Sequence, residues 1–512
     1  MSEHFDVVII GFGPTGATLA NLLGLSGVSV LLLDRERQSC QLPRAVHFDD
    51  EVMRVFQTIG ISDQLAKRLR VNAGMRFVNR DTGKLLLDWP RPQEMGPNGW
   101  YASYRFHQPE LEYMLHDNLK RFPSVEIRSG CEAQEIEDFE GSVEVVYEDL
   151  KKGERRRVSG AYLVGCEGAN SLTCKCVCDP AEEAIEDFDY NQHWLVVDLV
   201  LNHPKPELSD YTMQYCHPEK PVTCARGPGL RRRWEFSLSE EERREPLEDA
   251  DVWERLQSWV TREEAQLERH AVYQFHATLA LKWQRNRMFI AGDAAHQTPP
   301  FMGQGMCAGI RDAANLGWKL QLSLICKTEA LLLNSYAQER IANVRRYITT
   351  AIDLGKVVNS DSDQDLFDKL KSAGGKMKSL KSKLGKGLAV QENDQVGSLF
   401  PQPLYSRIDD RPILLDDHSG YAPSLLITDD LKAGLSDKEM TALNKLKAEG
   451  FCVVWAEPGS SISDVLVHLG LKAVLVRPDR YILATAEGAE EFGVVFKQAQ
   501  QIRQPRSTVF SS

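Results

Sequence analysis

The sequence contains no apolar run approaching the roughly 18 residues of a membrane span, so no spanning helix is expected. It also has no excess of basic charge. Sixty-one Lys and Arg stand against 73 Asp and Glu, a net charge of −12, with a pI of about 5.6. That balance argues against nucleic acid as a partner. The cysteines form no regular framework. Their count, 11, is odd, which suits a reducing compartment rather than a disulfide-stapled secreted fold. The densest group, Cys166, Cys174, Cys176 and Cys178, lacks the C-x₂₋₄-C hairpin spacing of structural zinc. We read it as free thiols and expect no metal. Internal repeats are absent. The first strand begins within a few residues of Met1, leaving no room for a signal peptide, so a cytoplasmic protein is the expectation.

The 512 residues are 42% hydrophobic and 26% charged, enough for two or three well-filled domains. Phe5 to Ile10 is a short apolar run suited to a buried parallel strand. Gly11-Phe12-Gly13-Pro14-Thr15-Gly16 follows, then a helix through Leu19, Leu22 and Leu23, then a second apolar strand from Val28 to Leu33. In this pattern Gly11 permits a tight turn, Gly13 lets a pyrophosphate approach the backbone, and Gly16 allows close helix–strand packing. The helix N-terminus attracts the phosphates. Asp34 lies 18 positions beyond Gly16, close to the roughly 20 expected of a ribose-binding carboxylate. Strand, glycines, helix, strand and acid in that order make a dinucleotide site the expected reading.

A second motif lies far along the chain. Met288 to Ala291 reads as a strand and delivers Gly292-Asp293-Ala294-Ala295-His296, and Gly303-Gln304-Gly305 opens a long helix at about 305–327. Two such junctions imply one extended cofactor gripped at both ends, with Asp293 and a helix N-terminus where a ribityl chain and an electron-accepting ring would lie. That points to FAD. His296 is expected to support its loop. Between the motifs, residues 185–285 are strand-like, a β-rich insert suited to covering a substrate. On it Gln214, Trp234 and Phe236 are candidates to face a ring, and Tyr215 to donate a hydrogen bond, although strand alternation lets only one parity face inward. Residues 369–403 begin with a Lys-, Gly- and Ser-rich run and read as a linker. Residues 404–512 restart as a small α/β unit with one cysteine, Cys452, and no C-x-x-C, so thiol redox work there is not expected.

Together these motifs resemble the single-component FAD aromatic hydroxylases, which share the p-hydroxybenzoate hydroxylase fold, and within them the 3-(3-hydroxyphenyl)propionate hydroxylase branch. The resemblance runs over most of the chain. It includes Pro43-Arg44-Ala45, Asp49-Asp50-Glu51, Gln108-Pro109, Glu167-Gly168, Arg232-Arg233-Trp234-Glu235-Phe236, Gly303-Gln304-Gly305 and Arg477-Pro478-Asp479-Arg480-Tyr481. It implies an α/β protein: a Rossmann-like FAD-binding domain over 1–184 and 286–368, an inserted β-rich substrate domain over 185–285, and a thioredoxin-like appendage over 404–512 without redox cysteines. It implies that Gly11, Gly13, Pro14, Thr15 and Gly16 hold the pyrophosphate and that Asp34, with Arg35 beside it, takes the adenosine ribose. Arg44 and Gln108 would contact the FAD backbone and Asp293 the ribityl chain. Pro299, Gly303, Gln304 and Gly305 would shape the flavin pocket, with Pro300 and Met302 on its substrate side.

The implied activity is hydroxylation of a phenolic ring, with NAD(P)H and O2 as co-substrates and a flavin C4a-hydroperoxide as the oxygen donor. The alternatives are another oxygenation on the same scaffold, such as ring opening or Baeyer–Villiger insertion, or a flavin-binding protein without turnover. His47 is the candidate base for the ring hydroxyl, because histidine titrates near neutrality; packing against the flavin is the competing role. Arg226 is either a partner for a substrate carboxylate or a solvated arginine. A homodimer is compatible with the appendage and its linker. Two positions depart from the family pattern: Glu167 stands where Asp is usual, and Cys174 where an arginine is usual. Cysteine cannot clamp phosphate bidentately, so other basic residues are expected to meet the nicotinamide cofactor.

Overall fold

A computed structural model describes residues 3–37, 44–178, 184–243, 247–326, 329–359, 380–408 and 411–502. Strand β1 (Glu3–Ile10) is buried from Val7 to Ile10. It pairs in parallel with β2 (Val30–Asp34) on one side and with Glu154–Gly165 on the other. A central strand covered on both faces needs no polar alternation, which is why it reads as one apolar run. Helix α1 (Pro14–Leu25) starts with Gly13 as N-cap and Pro14 in its first turn. Met288–Ile290 adds to the far side of Glu154–Gly165, so both glycine motifs leave the same edge of one eight-stranded sheet. The mixed α/β class matches expectation.

The second sheet also has eight strands, in the order His296–Gln297, Ala265–Ala280, Ile185–Leu201, Arg231–Leu238, Val222–Arg226, Thr212–Cys216, Gly74–Asn79 and Leu85–Pro90. The insert alone does not complete it. Gly74–Asn79, from ahead of the insert, pairs in parallel with Thr212–Cys216 and brings Leu85–Pro90 with it. Alternation marks these as strands, but it carries no information on which distant strand they join.

The two faces of this sheet differ in what covers them. One carries Leu195, Val197, Trp234 and Phe236 against Val252 and Leu256 of the helix Asp249–Leu256. The other carries Phe77, Leu87, Trp194 and Cys216 against Phe301, Leu354 and Val357 of the first domain. Only the second face looks toward the glycine motifs.

The C-terminal unit has four strands in the order Cys452–Ala456, Ser424–Thr428, Ala473–Val476, Ile482–Ala486. The first pair is parallel and the others antiparallel. Of the expected linker, residues 369–379 lie outside the described residues. In the remainder, Leu384, Leu388, Val396 and Phe400 are buried, so this stretch packs as part of the body.

Buried charges dock the C-terminal unit. Arg54 reaches Asp416 at 2.7 Å, and Glu339 takes Lys319 at 2.7 Å and Arg477 at 2.8 Å. Burial alone would raise the Glu339 carboxyl, but the cations Arg477 and Lys319 outweigh it and hold it at about 2. Lys319, depressed by burial to about 8, is still the cation at neutral pH. A carboxyl lowered in the folded state stabilises fully above its unfolded value, roughly 4.5, and that stability is lost as pH falls toward 2. Glu339→Gln leaves the buried Lys319 without its anion and Arg477 with Asp479 alone, and should cost about 3–5 kcal/mol at pH 7. The variant should also lose part of the wild type's destabilisation between about pH 4.5 and 2. Denaturant unfolding across that pH range measures both.

Candidate functional site

The two glycine motifs interlock. A β-carbon at Gly16 would stand 2.0 Å from the Gly11 carbonyl oxygen, and one at Gly11 2.3 Å from the Cys166 carbonyl oxygen. These glycines are forced by packing. Thr15 is wedged against the second motif: β-carbons at Gly292 and Gly309 would lie 2.6 and 2.3 Å from its hydroxyl oxygen. Gly13 and Gly305 differ from all of these. Nothing stands within 4 Å of a β-carbon at either, and each opens a helix, α1 and Gly305–Cys326. Open space at two helix N-termini is what an anion-bearing, two-ended cofactor requires.

Asp34 ends β2 with its carboxylate held in place. The Phe12 N–H donates to it at 2.5 Å and the Glu36 N–H at 2.7 Å. Arg35 beside it is exposed and pairs with Glu36 at 3.3 Å. The Phe12 ring is stacked on His116 at 3.6 Å, and His116 donates to the Phe12 carbonyl at 2.9 Å. His116, whose charged form is disfavoured by burial, carries no motif signal in the sequence.

On the far side Arg44 and Asp293 approach to 3.8 Å while both stay well exposed, 66% and 43%. Residues 249 positions apart thus present a cation and an anion to the same open space. Gln108 shapes this rim. Its side-chain oxygen accepts the N–H groups of Arg44 and Ala45 at 2.7 and 2.8 Å, and its amide donates to Glu112 at 2.7 Å. The carboxylates of Asp34 and Asp293, the cation of Arg44 and the two open helix ends are groups that an FAD would fit. His296 lies buried and bonds Asp312 at 2.7 Å. Asp312 also accepts from Gly292 N–H at 3.0 Å and Arg340 at 2.7 Å, which fixes the loop carrying Asp293.

Pro299 to Gly305 lead into the helix Gly305–Cys326. Pro299 is buried and Pro300–Met302 form a short 3-10 turn. Gly303 takes a left-handed φ of 64°, and a β-carbon there would lie 3.0 Å from the His47 ring. His47 has both nitrogens engaged. Nδ1 donates to the Gly303 carbonyl at 3.3 Å, and Nε2 accepts from the Ser103 hydroxyl at 2.7 Å. Burial and the Arg105 charge lower His47 to about 3, so it is neutral and supports the Gly303 loop. Gln304 is also committed at both ends: its oxygen takes Arg311 at 3.0 Å and its amide donates to Asp49 at 3.2 Å.

Strand parity separates the substrate candidates. Register places Leu87, Phe77, Gln214, Thr223, Glu235 and Val196 in one row across the sheet, on the face toward the glycine motifs. Gln214 is on this face and accepts from Thr223 at 2.6 Å. Trp234, Phe236 and Tyr215 have the opposite parity. Trp234 and Phe236 pack in the outer-face cluster, and the Tyr215 hydroxyl accepts from Trp259 at 3.3 Å. The structure does not bring these three to the flavin side. Phe301 meets Trp194 at 5.8 Å and Tyr190 at 6.1 Å, and Met302 packs in the same cluster. Arg226 is taken up by Asp210. Arg105 and Glu235 were missed: Glu235 sits in a run read for Trp234 and Phe236, Arg105 carries no motif signal, and parity decides only once register is known.

Glu167 turns back on its own chain. Its carboxylate accepts from Ser171 at 2.7 Å and from the Thr173 N–H at 3.0 Å and hydroxyl at 2.7 Å. It thereby ties down the first turn of the helix Leu172–Val177, where Cys174 lies.

A family model described as an FAD binding domain matches residues 4–351. The chain belongs to this FAD-binding family. A Rhodococcus jostii (strain RHA1) protein named "Probable NADH-specific resorcinol 4-hydroxylase" is 34% identical, over 96% of this chain and 94% of that one. A 3-(3-hydroxy-phenyl)propionate/3-hydroxycinnamic acid hydroxylase of Mycolicibacterium gilvum (strain PYR-GCK) is 32% identical over 89% of this chain and 81% of its own. Among solved structures, the flavin-dependent monooxygenase PieE, in complex with FAD and substrate, superposes with a TM-score of 0.82. It is 17% identical and the match covers 98% of this chain and 99% of that one. Aklavinone-11 hydroxylase with FAD and aklavinone gives 0.77 at 20% identity, covering 98% and 99%. The protein is an FAD-dependent aromatic monooxygenase, with a nicotinamide reductant and O2 as co-substrates.

The contrast among the glycines yields a prediction for the family member. Gly13→Ala, at an ordinary φ of −69° and with free space around it, should leave the cofactor-free protein's melting temperature unchanged. It should weaken FAD binding at least tenfold, about 1.4 kcal/mol. Gly16→Ala forces backbone apart and should destabilise the protein itself by about 3 kcal/mol or more. Flavin-fluorescence titration and thermal unfolding separate the two effects.

Proposed function

We propose that the enzyme hydroxylates a small phenolic ring with NADH as reductant, and that simple phenols such as resorcinol or a hydroxyphenyl-substituted acid are its substrates. The carrying observation is the inner sheet face opposite Gly303–Gly305, where Gln214, Thr223, Glu235 and Arg105 stand beside Phe77, Trp194 and Phe301. An apolar slot with a few fixed polar groups suits a hydroxylated ring. The hydroxylases similar to this chain, acting by name on resorcinol and on hydroxyphenylpropionate, support the same class.

In this reading Gly11, Gly13, Pro14, Thr15 and Gly16 hold the pyrophosphate, Asp34 the adenosine ribose, and Arg44 and Asp293 the middle of the cofactor. FAD held there would supply the hydride-accepting and oxygen-activating chemistry; the chain's residues orient the ring and exclude water. His47, Pro299, Gly303 and Gln304 form the wall that positions the flavin ring, and the N-terminus of Gly305–Cys326 favours negative charge there. Pro300 and Met302 line the substrate side.

We read the C-terminal unit as thioredoxin-like, on its β-α-α-β-α-β-β-α order from Ser424–Thr428 to Ala489–Gln501, with docking in place of thiol chemistry. No disulfide joins the nine described cysteines, which supports a reducing, cytoplasmic setting, and no helix among the described residues is long and apolar enough to cross a membrane. A homodimer remains part of this reading on fold-level analogy.

The FAD-loaded enzyme in air should oxidise NADH slowly alone and at least tenfold faster with its phenol. The product should carry one added ring oxygen. NADH consumption with resorcinol, 3-(3-hydroxyphenyl)propionate and phenol, followed by product structure, decides it. Unstimulated NADH oxidation with no hydroxylated product from any of them would overturn the reading.

A further inference from the structure

Glu235 is a partly buried carboxylate that the family motifs leave without a task. It sits in Arg231–Leu238 between Thr223 and Val196 on the flavin-facing side of the sheet. Its side chain is 15% exposed, and its closest cation contact is Arg233 at 3.9 Å. Its carboxylate accepts no hydrogen bond from any described residue. A carboxylate removed from water without hydrogen bonds is costly unless something else uses it. The neighbouring Gln214 accepts from Thr223 through its oxygen, and its amide N–H groups donate to no described residue. An acceptor and a donor thus stand unused on one wall, flanked by Phe77 and Trp194.

Resting on the phenol hydroxylase reading, we propose that Glu235 is the catalytic residue that takes the proton of the substrate's ring hydroxyl, so that this pocket selects neutral phenols. The O–H bond breaks and the proton passes to a Glu235 oxygen, while the electron pair stays on the phenolic oxygen and enriches the ring carbons ortho and para to it. One of these carbons takes an oxygen atom from O2. NADH supplies the two electrons that reduce the other oxygen atom to water. As the ring regains aromaticity, the new sp3 carbon loses its hydrogen as a proton to solvent, which also supplies the protons with which the other oxygen atom leaves as water, and Glu235 returns its proton to the phenolic oxygen.

Glu235 is suited to this by its surroundings. Burial raises its carboxyl above the ordinary range, making it a stronger base than a solvated glutamate. The charged groups facing it are Arg233 on its own strand, Asp198 on Ile185–Leu201, Arg105 on Ser103–Arg105 and Arg269 on Ala265–Ala280. Arg233 and Arg269 are bound to Asp198 at 2.7 Å each. Arg105 donates to the Thr212 hydroxyl and has no carboxylate of its own, so it is placed to offset the phenolate charge once Glu235 is neutral. His47, on the strand paired with Arg105, has no nitrogen left for the substrate.

Three measurements test this. Wild type with resorcinol, phenol and 3-(3-hydroxyphenyl)propionate first establishes turnover; absence of any hydroxylated product removes the functional reading and with it this proposal. With turnover in hand, Glu235→Gln should bind FAD within about twofold of wild type by fluorescence titration. Its kcat/KM for the best phenol should fall about 10²–10⁴-fold at pH 7, recovering as pH rises toward the phenol's own ionisation. Glu235→Asp should keep part of the activity, with the acid limb of its kcat/KM profile displaced from the wild type's. A Glu235→Gln enzyme with at least half of wild-type kcat/KM and an unchanged pH profile overturns the proposal. If that variant fails to bind FAD, the Glu235→Asp profile decides: a displaced acid limb supports the proposal and a coincident one overturns it.

Discussion

Thr15 is pressed into the space left by Gly292 and Gly309. This contact locks α1 against the helix Gly305–Cys326, and the two open helix ends, at Gly13 and Gly305, are positioned as a pair. Any side chain at Gly292 or Gly309 would separate the helices and spread the grips on the two ends of one ligand. Interiors pack at crystal-like density and do not yield by fractions of an ångström without cost. The distance between the two anchors is therefore set by the protein.

The same helix also receives the C-terminal unit. Tyr481 donates to Glu51, Glu51 accepts from Arg311 at 2.6 Å, and Arg311 bonds Gln304 at 3.0 Å and reaches Asp49. Burial opposes the charge on Arg311, but Asp49 and Glu51 raise its pKa well above the usual arginine value. A chain of charged hydrogen bonds thus runs from the appendage to Gln304, ahead of the helix Gly305–Cys326. Fully satisfied, such a network fixes geometry more than it adds stability. The appendage, without a C-x-x-C motif, acts here as a brace.

The glycine turns and strand-end acids were legible in the sequence because their demands are local. A glycine that must avoid a carbonyl, as Gly16 does, or a carboxylate that ends a strand, as Asp34 does, is fixed by neighbours a few residues away. Asp293 and Gly305 were readable for the same reason. The substrate half was not. Whether Trp234 or Glu235 faces the flavin depends on the register of Arg231–Leu238 against two other strands, and a one-residue change of register exchanges the faces. Aromatic residues draw attention in a sequence, yet here Trp234, Phe236 and Tyr215 build the outer core. His47 was noticed for its intrinsic pKa, and burial beside Arg105 removes that property. The departure at Glu167 likewise has a local cause: its longer side chain folds back onto Ser171 and Thr173.

Arg233 carries one more consequence. While one edge of its guanidinium holds Asp198, Nη1 donates to the backbone carbonyl of Arg44 at 2.8 Å. Strand Arg231–Leu238 is thereby tethered to the loop that carries Arg44. If that loop moves when the dinucleotide enters, the strand moves with it, and a phenol held on the strand's face is then thermodynamically linked to the cofactor. The factor by which FAD changes the affinity for a phenol must equal the factor by which the phenol changes the affinity for FAD. The protein needs no separate signalling element for the pocket to register that its cofactor has arrived.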